Sequence, residues 1–497
     1  MNSIVEKIKE KAKNLNDVYF RKITYKEDDV YLVFSDAMVD TQVVSNFVVR
    51  SINEILREKS ILNDNNENSK KEIDLKEKIL DKIQNIKIDL KDEIAISKIN
   101  GIDEEYEEIF KYIFSGFVVI IYLDKLYAVE ARQNTGRAVL EPSTDSSIRG
   151  PRDSFVENIM QNLALIRNRI KSSNLLYKEK EIGTRTKTKC ALMYIEDIAK
   201  EEFVTMIEEK INSIIIDGIL DINYIQEFIN EENESSFPVS ITTQRPDVVS
   251  YYLLQGRIVV LVNNSPYALI LPAFFDDFIN NIDDVYQNSK NVTITKIIRY
   301  ISMILTIMVP ALYLSLITFD QETIPTELLI SISSQRESVP FPAVVEATMM
   351  IVAFEILKES DMRANKISGN TLSIVGAIIL GDAAVSAGIV SPIMIIVVAI
   401  TTISGLMFSD INVINAFRRW RLIFMIFASL CGITGMGMAT ILFVTSLVST
   451  QSLTLPFTYP VAPLNITETA NKLFSRKNIS KDKNRQKILT NNLTKGR

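Results

Sequence analysis

The rhythm of hydrophobic positions changes near residue 290. Before it, apolar residues come in short runs separated by Lys, Glu, Asp and Asn. After it, Ile, Leu, Val, Met, Ala and Gly form runs long enough for the membrane, where a spanning helix needs about 20 mostly apolar residues. Ile297–Phe319, Leu372–Ile389, Ser391–Phe408 and Leu422–Val448 read as such helices, and Val339–Leu357 joins them although it carries Glu346 and Glu355. The pattern predicts about five spans. Arg299 lies close enough to one end of the first span to snorkel.

The earlier half repeats itself. Gly116-Phe-Val-Val-Ile-Ile-Tyr-Leu-Asp-Lys-Leu-Tyr-Ala-Val can be laid over Gly256-Arg-Ile-Val-Val-Leu-Val-Asn-Asn-Ser-Pro-Tyr-Ala-Leu, so that Gly116, Tyr127 and Ala128 fall on Gly256, Tyr267 and Ala268. Two β-branched runs around a polar turn predict a hairpin. Each hairpin follows a predicted helix, Asp103–Ser115 or Pro246–Gln255, closed by a glycine at the position after the last turn. Upstream, Val30–Asp36 then Thr41–Arg57, and Lys189–Ile195 then Lys200–Ile214, read as strand then amphipathic helix. The expected fold class is an α/β soluble region of two similar tandem subdomains, followed by a polytopic all-α membrane domain. The expected boundaries are 1–145 and 175–290 for the subdomains, 146–174 for a linker region with a helix over Arg152–Lys171, and 291–463 for the membrane domain. A basic tail, 464–497, is expected to be disordered. The Asn-rich run Leu62–Lys71 reads as a loop in the first subdomain.

With the N-terminus inside, four spans place Lys358, Arg363, Lys366, Arg418, Arg419 and Arg421 inside, as the positive-inside rule asks. A fifth span leaves the Lys- and Arg-rich tail outside, against the rule. A bend or re-entry at Gly432, Gly435 and Gly437 is one way out, so the side of the C-terminus stays open. Glu346, Glu355 and Asp382 sit at membrane depth, where a carboxylate facing lipid costs a few kcal/mol. They are candidates for a cation pathway; the alternative is burial in ion pairs with Arg336, Lys358 or Arg363. Ser373, Ala377, Gly381, Ala384 and Gly388 recur at helical spacing, a small-residue face that lets helices approach closely.

The net charge of −6 argues against nucleic acid as a main partner. Histidine is absent, which removes the commonest general base and metal ligand. Only Cys190 and Cys431 are present, too few for a disulfide framework or a cysteine zinc site. The first residues, Met1-Asn-Ser-Ile-Val-Glu-Lys, do not read as a signal peptide, so the soluble half is expected to stay in the cytoplasm. No phosphate loop, dinucleotide fingerprint or nucleophile elbow is present. Neither an enzyme nor a cofactor is expected. The densest polar stretch runs from Glu141 to Asn158. There Arg149 and Arg152 bracket a Gly-Pro turn, and Glu141 and Asp153 offer carboxylates for an interdomain latch. Asp153 or Ser154 is placed to cap the following helix.

Several motifs, taken in order, resemble the A-subunit family of spore nutrient-germinant receptors. They are Glu141-Pro, Ile148-Arg-Gly-Pro-Arg, Leu165-Ile-Arg-Asn-Arg-Ile, Ile182-Gly-Thr-Arg-Thr-Lys-Thr and Arg245-Pro-Asp. Further on come Pro310-Ala-Leu-Tyr, Arg336-Glu-Ser-Val-Pro-Phe-Pro with Glu346, Phe354-Glu-Ile-Leu, Ser373-Ile-Val-Gly and Gly388-Ile-Val-Ser-Pro. Asp320 departs from the family, which commonly has histidine there, and Asp153-Ser replaces its Glu-Gly. The resemblance implies a multi-pass protein of the spore inner membrane that works with a transporter-like B subunit, a lipoprotein C subunit and further copies of itself. It also implies a nutrient-gated, oligomeric cation channel that triggers ion release. A non-conducting scaffold and a secondary transporter are the alternatives, and the spans show no clear inverted repeat of the transporter kind.

Overall fold

The computed structural model describes residues 2–25, 28–50, 52–53, 96–98, 107–122, 125–133, 142, 147, 149–230, 235–287, 289–363, 381–473, 485–486 and 488–490. The chain divides into two compact units. The first comprises Met1–Glu232, Ser240–Leu271 and Lys483–Arg497; the second comprises Asn233–Val239 and Pro272–Asp482.

The first unit holds two five-stranded sheets. β1 (Val18–Tyr25), β2 (Asp28–Ser35), β3 (Ile96–Lys98), β4 (Phe117–Tyr122) and β5 (Lys125–Glu130) form one. β6 (Leu175–Ile182), β7 (Thr188–Ile195), β8 (Ile241–Thr243), β9 (Ile258–Val262) and β10 (Ala268–Leu271) form the other. Their orders, β1-β2-β4-β5-β3 and β6-β7-β9-β10-β8, are the same order written twice, and every pairing is antiparallel. The two predicted hairpins are β4–β5 and β9–β10. Gly116 and Gly256 both stand at positive φ, 85° and 91°, ahead of them. The central strands are buried along their length, as runs of Val and Ile without alternation require.

Helices cover the sheets with apolar faces at helical spacing. Glu201–Ser213 buries Phe203, Val204, Ile207 and Ile211, and Ile222–Asn230 buries Ile222, Ile225 and Ile229. The helix expected over Arg152–Lys171 is shorter, Ile159–Arg167, because Asn158 caps it by accepting from the Met160 and Gln161 amides. Asp153 and Ser154 therefore precede the helix and do not cap it. The basic tail, expected without structure, includes a helix, Ile466–Leu473. It also includes Thr490, which bridges to Ala199 in the first unit, and a fully buried Leu489.

The second unit is helical. Its main elements are α1 (Ser289–Thr318), α2 (Thr326–Arg336), α3 (Ala343–Arg363), α4 (Pro392–Gly405) and α5 (Ile411–Ser449). α1 and α5 are long and apolar enough to cross a membrane. α4 is apolar but, at 14 residues, only about 21 Å long. Arg299 does not snorkel. Its guanidinium is held by both carboxylate oxygens of Asp284, at 2.6 and 3.0 Å. Residues 381–386 are helical, and the rest of the span expected over Leu372–Ile389, up to residue 380, lies outside the described residues.

α5 is not one straight rod. In a helix Trp420 and Phe443 would stand about 34 Å apart, yet their ring centroids are 5.2 Å apart, and Phe424 and Phe443 are 6.2 Å apart. The chain reverses at Gly432, whose φ of 61° and ψ of −142° are open in practice to glycine alone. The result is a helical hairpin with arms of roughly 31 and 25 Å. Small residues let the arms close near the turn. A Cβ added at Gly435 would lie 2.0 Å from the Phe427 carbonyl oxygen. The buried face of the first arm, Phe417, Trp420, Phe424 and Ala428, recurs every three or four residues and, with Ala416 beside it, enters the core of the unit.

Candidate functional site

Glu346 is fully enclosed. It lies in the first turn of α3, which starts after Pro340 and Pro342. Its Oε1 accepts from the Ser391 amide at 2.6 Å and from the Ser391 hydroxyl at 2.5 Å. Ser391 is the N-cap of α4, with Pro392 next to it. The carboxylate thus meets the positive ends of two helices, its own and α4, which favour negative charge. The other oxygen stands 3.8 Å from Nε of Arg336. Glu346 therefore ties α2, α3 and α4 together.

Glu355 is held by two guanidiniums on one face of the first arm of α5. Arg418 approaches one oxygen at 2.7 Å and Arg421 the other, also at 2.7 Å. Spacing of three residues puts both arginines on the same side of the helix. Asp382, by contrast, is exposed. The three acids thus occupy three different settings, and the structure does not bring them together. Of the ion-pair partners considered from sequence, Arg336 serves Glu346; the arginines on Glu355 come from α5. Among the described residues no group of three metal-binding side chains is present.

Asp320 follows α1 and reaches the hairpin turn. Its Oδ2 accepts from the Ile433 amide at 2.9 Å and from the Ser315 hydroxyl at 2.8 Å. The first free amide of the second arm is thereby capped by a side chain more than a hundred residues earlier in the chain. Gly388 ends the helix at 381–386. Its φ is 63°, and the Gly388 and Ile389 amides return to Val385 and Ala384. That glycine ends the helix and also lies close to Ser338, whose carbonyl oxygen would be 3.3 Å from an added Cβ. Gly381 is buried and Ala384 packs against the core of the second unit. Ser373 and Ala377 lie outside the described residues.

Glu141 lies outside the described residues, and Arg149 and Arg152 are exposed. Asp153 is gripped by Arg169, with both oxygens 2.7 Å from one nitrogen. A more deeply buried tie lies at Arg167. Arg167 and Asp17 form a two-pronged pair at 3.0 Å in each prong, and both side chains are 0% exposed. Ser35 also donates to Asp17, Arg167 donates to the Ser172 carbonyl, and its guanidinium lies 3.9 Å from the centre of the Phe114 ring. The signal in the sequence is a lone arginine closing the apolar run Leu163-Ala-Leu-Ile. Its partner is 150 positions away.

Residues 6–488 match the family model described as Bacillus/Clostridium GerA spore germination protein. The chain belongs to the GerA spore germination family. Within the family it is similar to spore germination protein KA of Bacillus subtilis (strain 168), with 40% identity over 338 residues, 68% of this chain and 62% of that protein. It is also similar to spore germination protein XA of Bacillus anthracis, with 34% identity over 364 residues, 73% of this chain and 74% of that protein. The chain aligns with under two thirds of the length of protein KA and, at 64%, of the B. subtilis membrane protein YfkQ. Among solved structures it is similar to the N-terminal domain of the A subunit of the Bacillus megaterium spore germinant receptor GerK3. There the identity is 27%, coverage is 55% of this chain and 95% of that one, and the TM-score is 0.40. The resemblance to this family drawn from the motifs holds.

Proposed function

We propose that this GerA-family chain is the A subunit of a nutrient-germinant receptor in the spore inner membrane, and that its helical unit contributes to an oligomeric, nutrient-gated cation channel. The observation that supports this reading is the separation of the three acids. Glu346 and Glu355 are spent on neighbours, whereas Asp382 is exposed and free to face a shared conduit. A ring of such carboxylates, one from each copy, concentrates cations at a pore. Nutrient opens the pore by binding the open state of the complex more tightly than the closed one. In this reading 1–145 and 175–290 are tandem cytoplasmic subdomains joined by 146–174, 291–463 is the membrane domain and 464–497 is the basic tail. A transporter-like B subunit and a lipoprotein C subunit complete the receptor.

Measured per receptor in spores, ion release after nutrient should slow severalfold in Asp382→Asn. In Glu346→Gln the amount of receptor should fall while release per receptor stays normal. Unchanged release in Asp382→Asn would remove the acid ring. The second reading, a scaffold that conducts nothing, is favoured by the neutralisation of two acids and would then stand.

The hairpin also bears on topology. Arg485 donates to the Leu254 carbonyl, and Thr490 bridges to Ala199, so the tail ends in the first unit. The intervening chain then crosses the membrane an even number of times. Counting α5 as two passes makes six of the five expected spans and returns the basic tail to the inside. The native cysteines report on this. Cys190 is buried and burial pushes its thiol up to about 12, so it stays protonated and inert. Cys431 is exposed beside the hairpin turn. A membrane-impermeant maleimide added to the outer face should label Cys431 alone. Labelling that requires permeabilisation would show that the hairpin re-enters without crossing.

A further inference from the structure

A cavity of about 30 Å³ lies among α1, α3, α4 and α5. It has room for about two water-sized groups. Its charged lining is Glu355, Lys358, Arg418 and Arg421, one anion against three cations. Each arginine uses a terminal nitrogen on Glu355, and neither Nε has a hydrogen-bond partner although both atoms are buried. Arg421 is only 6% exposed. Burying a cation with part of its donor set idle is costly unless a further acceptor arrives. Thr306, Thr401 and Thr402 on the wall each turn their hydroxyl proton to a carbonyl of their own helix at 2.7 Å, and none of them accepts from either Nε. The donors left over are Nε of Arg418, Nε of Arg421 and the Lys358 ammonium, around a surplus of two positive charges.

We infer that this cavity takes two oxygens of one oxyanion whose remainder stays at its mouth, a phosphodiester of an anionic phospholipid headgroup or free phosphate. Guanidinium nitrogens match that geometry. Ile351, Phe354, Val398 and Ile414 complete the wall, Ile351 and Val398 from the buried core and Phe354 and Ile414 half-buried. Basic pockets between membrane helices on the cytoplasmic side are suited to such headgroups. The bound anion would complete the charge balance of the Glu355 cluster and so hold α3 against α5. The inference needs these helices to lie in a membrane only for the lipid as the source; it does not need the chain to conduct.

The test uses the purified full chain in detergent. Retention of phosphatidylglycerol and phosphatidylcholine is followed by native mass spectrometry, and thermal unfolding is followed with and without inorganic phosphate. Phosphatidylglycerol should be retained more tightly than phosphatidylcholine. Lys358→Gln removes one charge without breaking an ion pair and should weaken retention about tenfold, the worth of one charge-assisted hydrogen bond. Lys358→Arg should restore it. Glu355→Gln removes the one competing anion that the lining holds among the described residues and should strengthen retention, which loss of a merely structural contact would not do. If inorganic phosphate stabilises the protein and displaces the lipid with the same dependence on Lys358, the oxyanion site stands with free phosphate as its source. If neither ligand responds to Lys358→Gln or to Glu355→Gln, the site does not exist.

Discussion

Arg167→Met is expected to destabilise the first unit by about 3–5 kcal/mol, the usual cost of leaving one member of a buried ion pair alone. The substitution keeps an unbranched apolar stem but leaves Asp17, fully enclosed, with Ser35 as its remaining side-chain partner. It also removes the guanidinium stacked on Phe114 and the bond to Ser172. The pair joins the N-terminal segment just ahead of β1 to the end of helix Ile159–Arg167, so its loss should loosen the linker rather than one sheet. Combining Asp17→Leu with Arg167→Met removes both charges and should recover most of the stability. Denaturant unfolding of the full chain, read from protease resistance of the first unit, measures both variants. A single substitution as mild as the double one would mean that the pair contributes little.

The second large effect is expected at the hairpin turn. Gly432→Ala forces a side chain into a conformation costing about 1–3 kcal/mol. It also places a Cβ 2.7 Å from Asp320 Oδ2 and 2.8 Å from the Phe319 Cβ. Overpacking adds about 1–3 kcal/mol, so folded protein in the membrane fraction should fall sharply. Gly437→Ala is the control, because nothing lies within 4 Å of the added atom. It should be tolerated or slightly stabilising, as alanine favours helix over glycine by about 1 kcal/mol. Equal behaviour of the two variants, in amount of folded protein and in melting temperature, would mean that the chain does not reverse at Gly432.

How much of this could be read from the residues depended on range. Strand runs, turns and helix faces are local, so the repeat around Gly116 and Gly256 was legible, and the shared strand order accords with it. Hydropathy measures the length of an apolar run and not its direction. It therefore marked Leu422–Val448 as one span, and the glycines there only permitted the bend that the packing of Trp420 on Phe443 reveals. The acids show the same limit. A carboxylate at membrane depth must find a partner, but the sequence does not say which. Ser391 is 45 residues from Glu346, and Arg421 is 66 from Glu355. Arg149 and Arg152 stand out through a Gly-Pro turn, whereas the enclosed tie uses Arg167, which closes an apolar run.

The central claim is that Asp382, and not the tied acids, faces a cation path. Current through the purified, assembled receptor in a planar bilayer tests it most directly. Wild type should give nutrient-dependent, cation-selective steps, and Asp382→Asn should lower both selectivity and unit conductance. Steps of unaltered size and selectivity in that variant, or a silent wild-type complex, would contradict it.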